Sequence, residues 1–146
     1  MASLEAIMDA LADQIGATLS GTADPLIENL QTTGFMNIDP TPPSVDVYPA
    51  DPFQEPLTMG AGYDFRLVVR ARVSTADHEA GQKLLLAMMD SNATTSIVRA
   101  IKSDKTLGSK VSSLGVDSAT GFGLYRDVNG DQSYMGATWV VRIMPV

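Results

Sequence analysis

Residues 63–73 read YDFRLVVRARV, and the period of that stretch decides the fold. Tyr63, Phe65, Leu67, Val69, Ala71 and Val73 share one parity; Asp64, Arg66, Val68, Arg70 and Arg72 share the other. A strand sends alternate side chains to opposite faces, so this segment has one dry face and one wet, mostly cationic face. A helix would scatter the same apolar residues around its axis. The pattern predicts a central antiparallel strand.

The chain around it has 146 residues, which suits a single domain over 1–146. There are no cysteines, which excludes disulfides, thiolate metal sites and cysteine nucleophiles. The net charge is −7, with ten Lys plus Arg. Tight nucleic-acid binding needs a basic face to neutralise phosphates, so the chain as a whole is repelled by DNA. Residues 1–20 do not read as a secretory leader, because Glu5 and Asp9 interrupt the apolar residues and no basic stretch precedes them. No run of about 18 apolar residues is present, so no membrane span is predicted.

Upstream of the strand, Leu4, Ile7, Met8, Leu11, Ile15 and Leu19 recur at helical steps and predict an amphipathic helix over 3–19. Ser3 is its N-cap candidate, and Ser20-Gly21 its stop. Asp24-Pro25 suits a short helical turn. Residues 30–39, LQTTGFMNID, suit a strand that Gly34 weakens. Six prolines then fall between Pro40 and Pro56. Proline has no ladder donor, so this segment is not a run of central strands. Ser44 to Tyr48 alternates and fits a short edge strand. Asp51 to Gly62 reads as an extended loop, part of a proline-rich loop over about 40–62, and serves either as a binding arm or as a plain connector.

Downstream, a helix is expected over 75–91, capped by Ser74 or Thr75, with Ala80, Leu84, Ala87 and Met88 as its stripe. A shorter helical piece follows over 95–103, with Ile97, Val98 and Ile101 inward. Val111–Val116, Phe122–Val128 and Ser133–Met144 read as strands. Asn129-Gly130 supplies the positive φ values of a type I′ turn between the last two. The expected architecture is α+β, an antiparallel sheet with helices packed on one face, a protruding long loop and a C-terminal hairpin.

Motifs for chemistry are weak. His78 lies between Asp77 and Glu79, but three consecutive residues in a helix point in different directions. Asp127, Asn129 and Asp131 echo an EF-hand start, yet Gln132 and Thr138 stand where a glycine and a bidentate acid are needed. Gly60-Ala61-Gly62 precedes a strand, whereas a dinucleotide fingerprint follows one. No catalytic, metal-binding or cofactor-binding residue is assigned. What remains is Arg66, Arg70 and Arg72 on one strand face and Arg142 on the wet side of the last strand. Either these form ion pairs on a solvated face, or they meet acidic groups of a neighbouring subunit.

In order and length the chain resembles the tail-terminator and head–tail joining proteins of long-tailed bacteriophages. The residues that carry the resemblance are the N-terminal helix, PTPPSVDVYPADP, YDFRLVVRARV, TADHEAGQKLLLAMMD, TLGSKVSSLGV and the closing YMGATWVVRIMPV. The resemblance implies a non-enzymatic virion protein, assembled in the host bacterial cytoplasm without a cofactor. It would form a homo-oligomeric ring, usually a hexamer, that ends tail-tube growth. Its implied partners are itself, the tail-tube protein and a head-completion or connector protein, with DNA passing through the lumen unbound. Related roles are a head-completion stopper or a tail-tube subunit, and a small-ligand-binding α+β domain is the alternative from another class. Ring closure needs two different patches on each subunit. The expected ones are Asp51, Phe53 and Glu55 on the long loop, and Arg66, Arg70, Arg72, Arg142 or the Asn129 hairpin elsewhere.

Overall fold

A computed structural model describes residues 3–21, 27, 30–38, 43–56, 63–74, 78–126 and 133–144. Its elements are α1 (Leu4–Ser20), β1 (Gln31–Thr33), β2 (Ser44–Pro56), β3 (Tyr63–Ser74), α2 (His78–Met89), α3 (Ile97–Lys102), β4 (Ser113–Arg126) and β5 (Ser133–Met144). Among the described residues the strands form one five-stranded sheet in the order β1-β2-β3-β5-β4. The class is α+β. The sheet is mixed, because β1 runs parallel to β2 while the other neighbours are antiparallel.

β3 sits at the middle of the sheet, as its alternation requires. Its dry parity pairs Leu67 with Val141, Val69 with Trp139 and Ala71 with Ala137. On the other side Val45 faces Ala71 and Val47 faces Val69. These residues are buried in one cluster with Ile7, Leu11, Ile15 and Leu19 of α1, Leu84, Leu85 and Met88 of α2, and Ile97 and Ile101 of α3. All three helices therefore cover one face. Each fully buried aliphatic or aromatic side chain contributes roughly 1.5–3 kcal/mol, so this face dominates stability over any surface ion pair. Trp139 is fully buried in it, and its indole N–H has no hydrogen-bond partner among the described residues.

Ser3 caps α1, its side chain accepting from the Ala6 amide at 3.1 Å. Gln14 ties the helix to the far side of the layer, its Nε2 donating to the carbonyls of Ala100 and Ile101 at 3.1 and 2.8 Å. Ser96 caps α3, its side chain accepting from the Arg99 amide.

Three expectations need correction. Residues 51–56 are not loop but the continuation of β2, which pairs Gln54, Glu55 and Pro56 with Phe65, Asp64 and Tyr63. The register shifts between Pro49 and Gln54, so Pro52 falls where no ladder donor is demanded. The two candidate strands at 111–116 and 122–128 are one strand, β4, bent by register shifts at Val116/Ser118 and Thr120/Gly123. The strand expected over 30–39 stops at Thr33. The expected turn at Asp24-Pro25, the caps at Thr75, the glycines of 60–62 and the Asn129-Gly130 turn lie outside the described residues.

Gly34 ends β1 because the chain there presses on α1. A Cβ at this position would lie 2.8 Å from the Asp9 Cα and 2.9 Å from its amide nitrogen. Backbone cannot yield as a side chain can, so Gly34→Ala lowers stability by about 1–3 kcal/mol in a denaturant titration.

After α3, Asp104 organises a turn. Its carboxylate accepts from the amides of Thr106 and Gly108 at 3.0 and 2.9 Å. Leu107 then takes a φ of 49° and is buried. Those amide bonds, Thr106 first, hold the Asp104 carboxyl below its ordinary range. A folded-state pKa below the unfolded value of about 3.9 means stabilisation that is complete above that pH and lost as pH falls through the folded value. Asp104→Ala therefore lowers Tm at neutral pH, and the gap to the wild type closes in melts below about pH 4.

Candidate functional site: the arginine face of the sheet

The face of the sheet away from the helices is built by the even parity of β3. Arg66, Val68, Arg70 and Arg72 stand there, with Ser44, Asp46 and Tyr48 across from β2 and Tyr134, Thr138 and Arg142 across from β5. Register brings Arg66 directly opposite Arg142. Like charges in that position repel. Asp117 relieves them, its Oδ2 lying 3.7 Å from Arg66 Nε and 3.3 Å from Arg142 Nε. Asp117 reaches that face because it occupies the first irregularity of β4, between Val116 and Ser118.

The second cluster is buried. Asp46 has no exposed side-chain surface, and Arg70 clasps it with Nε at 3.1 Å and an NH2 nitrogen at 2.6 Å, one bond to each carboxylate oxygen. Arg72 adds a longer contact at 3.4 Å. Asn37 closes the cluster from outside the sheet. Its backbone amide donates to Asp46 Oδ2 at 3.0 Å, and its carbonyl accepts from Arg72 at 2.6 Å. Arg70 lies over the Tyr48 ring at 5.0 Å, and Arg72 over Tyr134 at 5.9 Å. Burial, the leading cause, pulls the Arg72 pKa below its ordinary value, with Asp46 opposing. Among the described residues, Arg72 Nε and the Ser44 hydroxyl across from it are both buried without a hydrogen-bond partner. The cluster is therefore tight but incompletely satisfied, and it depends on Asp46 for charge balance.

The residues expected at a subunit contact fall in three places. Arg66 and Arg142 remain partly exposed on the open face. Arg70 and especially Arg72 are committed inward, to Asp46 and Asn37. Phe53 also turns inward and stacks on Phe65 at 5.3 Å between ring centroids. Asp51 is exposed on β2, and Glu55 lies in the same strand. Asn129 lies outside the described residues.

Sequence reading missed Asp46, Asn37 and Asp117. Asp46 was legible in principle: SVDVY puts it on the face opposite Val45 and Val47, where an antiparallel neighbour carries arginines. Asn37 was not, because it acts through its backbone. Asp117 depends on an irregularity that no local residue pattern announces.

Among the described residues no group of three or more His, Cys, Asp or Glu is arranged to hold a metal ion. No helix among them is long and apolar enough to cross a membrane. In comparisons with known proteins, no family model and no curated protein matches the chain.

The two clusters separate by burial, and so do their energies. Removing one partner of a buried pair strands the other, so Asp46→Ala costs about 3–5 kcal/mol in equilibrium unfolding. Arg66→Ala, which loosens a partly exposed contact, costs about 1 kcal/mol or less.

Proposed function

We propose that this chain is a structural subunit of a long-tailed phage tail, a ring at the head-proximal end that ends tube growth and joins tail to head. The observation that supports it best is the order of elements along the whole chain. An amphipathic α1, a proline-punctuated β2, a charged alternating β3, a helix pair and a closing β5 follow one another, and these are the segments on which the sequence resemblance to that family rests. The chemistry of the open face agrees with a role played by shape, since its arginines and acids are bonded to one another. On this reading the subunit acts in the virion and needs no cofactor, and DNA slides past an acidic protein without being held.

One feature favours a second reading, a small-ligand domain. Thr18, Asn92, Arg99 and Lys102 line an open depression of about 620 Å³. It is wide open to solvent, unlike the enclosed pockets that bury most of a small ligand. The ring reading therefore stands first.

The test is a polymerisation assay with the tail-tube subunit of the parent phage. Added chain is expected to arrest tubes and leave a ring at one end in negative-stain images. Unaltered tube lengths would count against the proposal. Long tubes grown from this chain alone would favour the tube-subunit alternative.

A further inference from the structure

The cations of this chain divide by what answers them. Arg66, Arg70, Arg72, Lys83 and Arg142 each form an ion pair with an acid of the same chain. Among the described residues, Arg99, Lys102, Lys105 and Lys110 form none. These four lie together within residues 99–110, beside a single acid, Asp104. Arg99, Lys102 and Lys105 are exposed, and Lys110 is half-buried. Asp104 is committed to its own turn, accepting from the amides of Thr106 and Gly108 and from the Thr106 hydroxyl.

Helix ends answer only part of this charge. α1 and α2 have no basic residue in their last turns, and Arg99 and Lys102 lie in the last turn of α3. A helix C-terminus carries about half a negative charge, so three of them offset roughly 1.5 of the four cations. The segment stays positive on a chain of net charge −7. It is also held still. Gln14 Nε2 donates to the carbonyls of Ala100, Ile101 and Asp104 at 3.1, 2.8 and 3.2 Å, and Ile101 and Leu107 are buried.

Arg99 and Lys102 line the open depression together with Thr18 near the end of α1, Ser91 and Asn92 just after α2, and half-buried Val98. Among the described residues no acid lines it. Two fixed cations thus stand beside hydroxyl and amide donors over an apolar side chain. A carboxylate suits that set, because an arginine fork grips it through two parallel bonds and an ammonium adds a point charge. The open shape admits a segment carried on another surface better than it encloses a small molecule. Duplex DNA suits it less, since the acidic chain repels it and so few cations displace few counterions.

We infer that this depression is a docking site for an acidic segment of another protein, whose Asp or Glu side chains seat against Arg99 and Lys102. Such a contact forms with or without ring closure, so it stands or falls separately from the ring reading.

The test titrates the full, isotope-labelled chain at low salt with a hexaglutamate peptide, and separately with a short DNA duplex and with inorganic phosphate, following backbone amide shifts by NMR. The peptide is expected to move amides at 18, 91–92 and 98–103 and to saturate them, with affinity falling several-fold as salt is raised. Arg99→Gln and Lys102→Gln are each expected to weaken it several-fold, and the double variant about tenfold. Lys83→Gln, which removes an exposed cation that is already paired, is expected to leave affinity unchanged. Circular dichroism melts verify folding, and the wild-type shift map decides the matter even where a variant fails to fold. Shifts that are absent or spread over every cation would overturn the site, as would full affinity in the double variant. Tighter binding of the duplex than of the peptide would overturn the acidic-protein assignment and give the patch to nucleic acid. Phosphate that saturates the same amides as tightly as the peptide does would overturn it as well, leaving a site for simple anions.

Discussion

The buried carboxylate of Asp46 organises the exposed half of this molecule. The helix-facing side of the sheet is lined mainly by apolar residues and needs no such device. The other side carries four arginines on two adjacent strands, Arg66, Arg70 and Arg72 on β3 and Arg142 on β5, and arginines that close repel unless acids intervene. Asp46 settles the inner pair and Asp117 the outer pair. The inner solution has a second effect. It recruits the backbone of Asn37 and so fixes where the chain runs after β1. The buried charge cluster here fixes where the chain runs, and a buried ion pair is weak evidence of added stability.

Much of the fold was legible in the sequence because it obeys simple periods. The alternation of 63–73 gave β3 its place at the sheet centre, and the three- and four-residue steps of 3–19 gave α1 within a residue at each end. Ser133–Met144 emerged as a strand with the expected bounds. The errors have physical causes. Pro49, Pro52 and Pro56 argued against a strand, yet an irregularity in β2 places Pro52 where no donor is needed. β4 looked like two strands because its middle, Asp117 to Gly121, lacks apolar alternation, and two bulges absorb that break. Such features live in pairing between distant segments, and no local window reports them.

The candidate site was half legible. The cationic parity of β3 pointed to the correct face, but parity cannot tell a buried arginine from an exposed one. That depends on what covers it, and the cover is Asn37, thirty-five residues upstream of Arg72. Arg70 and Arg72 thus moved from the surface to the interior of the account. Phe53 moved likewise, because β2 extends far enough to bring it against Phe65.

The central proposal is that this chain works as a repeating structural unit of a closed ring. Native mass spectrometry of the wild-type protein over a range of concentrations tests it most directly. The account predicts monomer giving way to one closed species of fixed stoichiometry, with few intermediates. Monomer at every concentration, or a symmetric dimer that never grows, would contradict it.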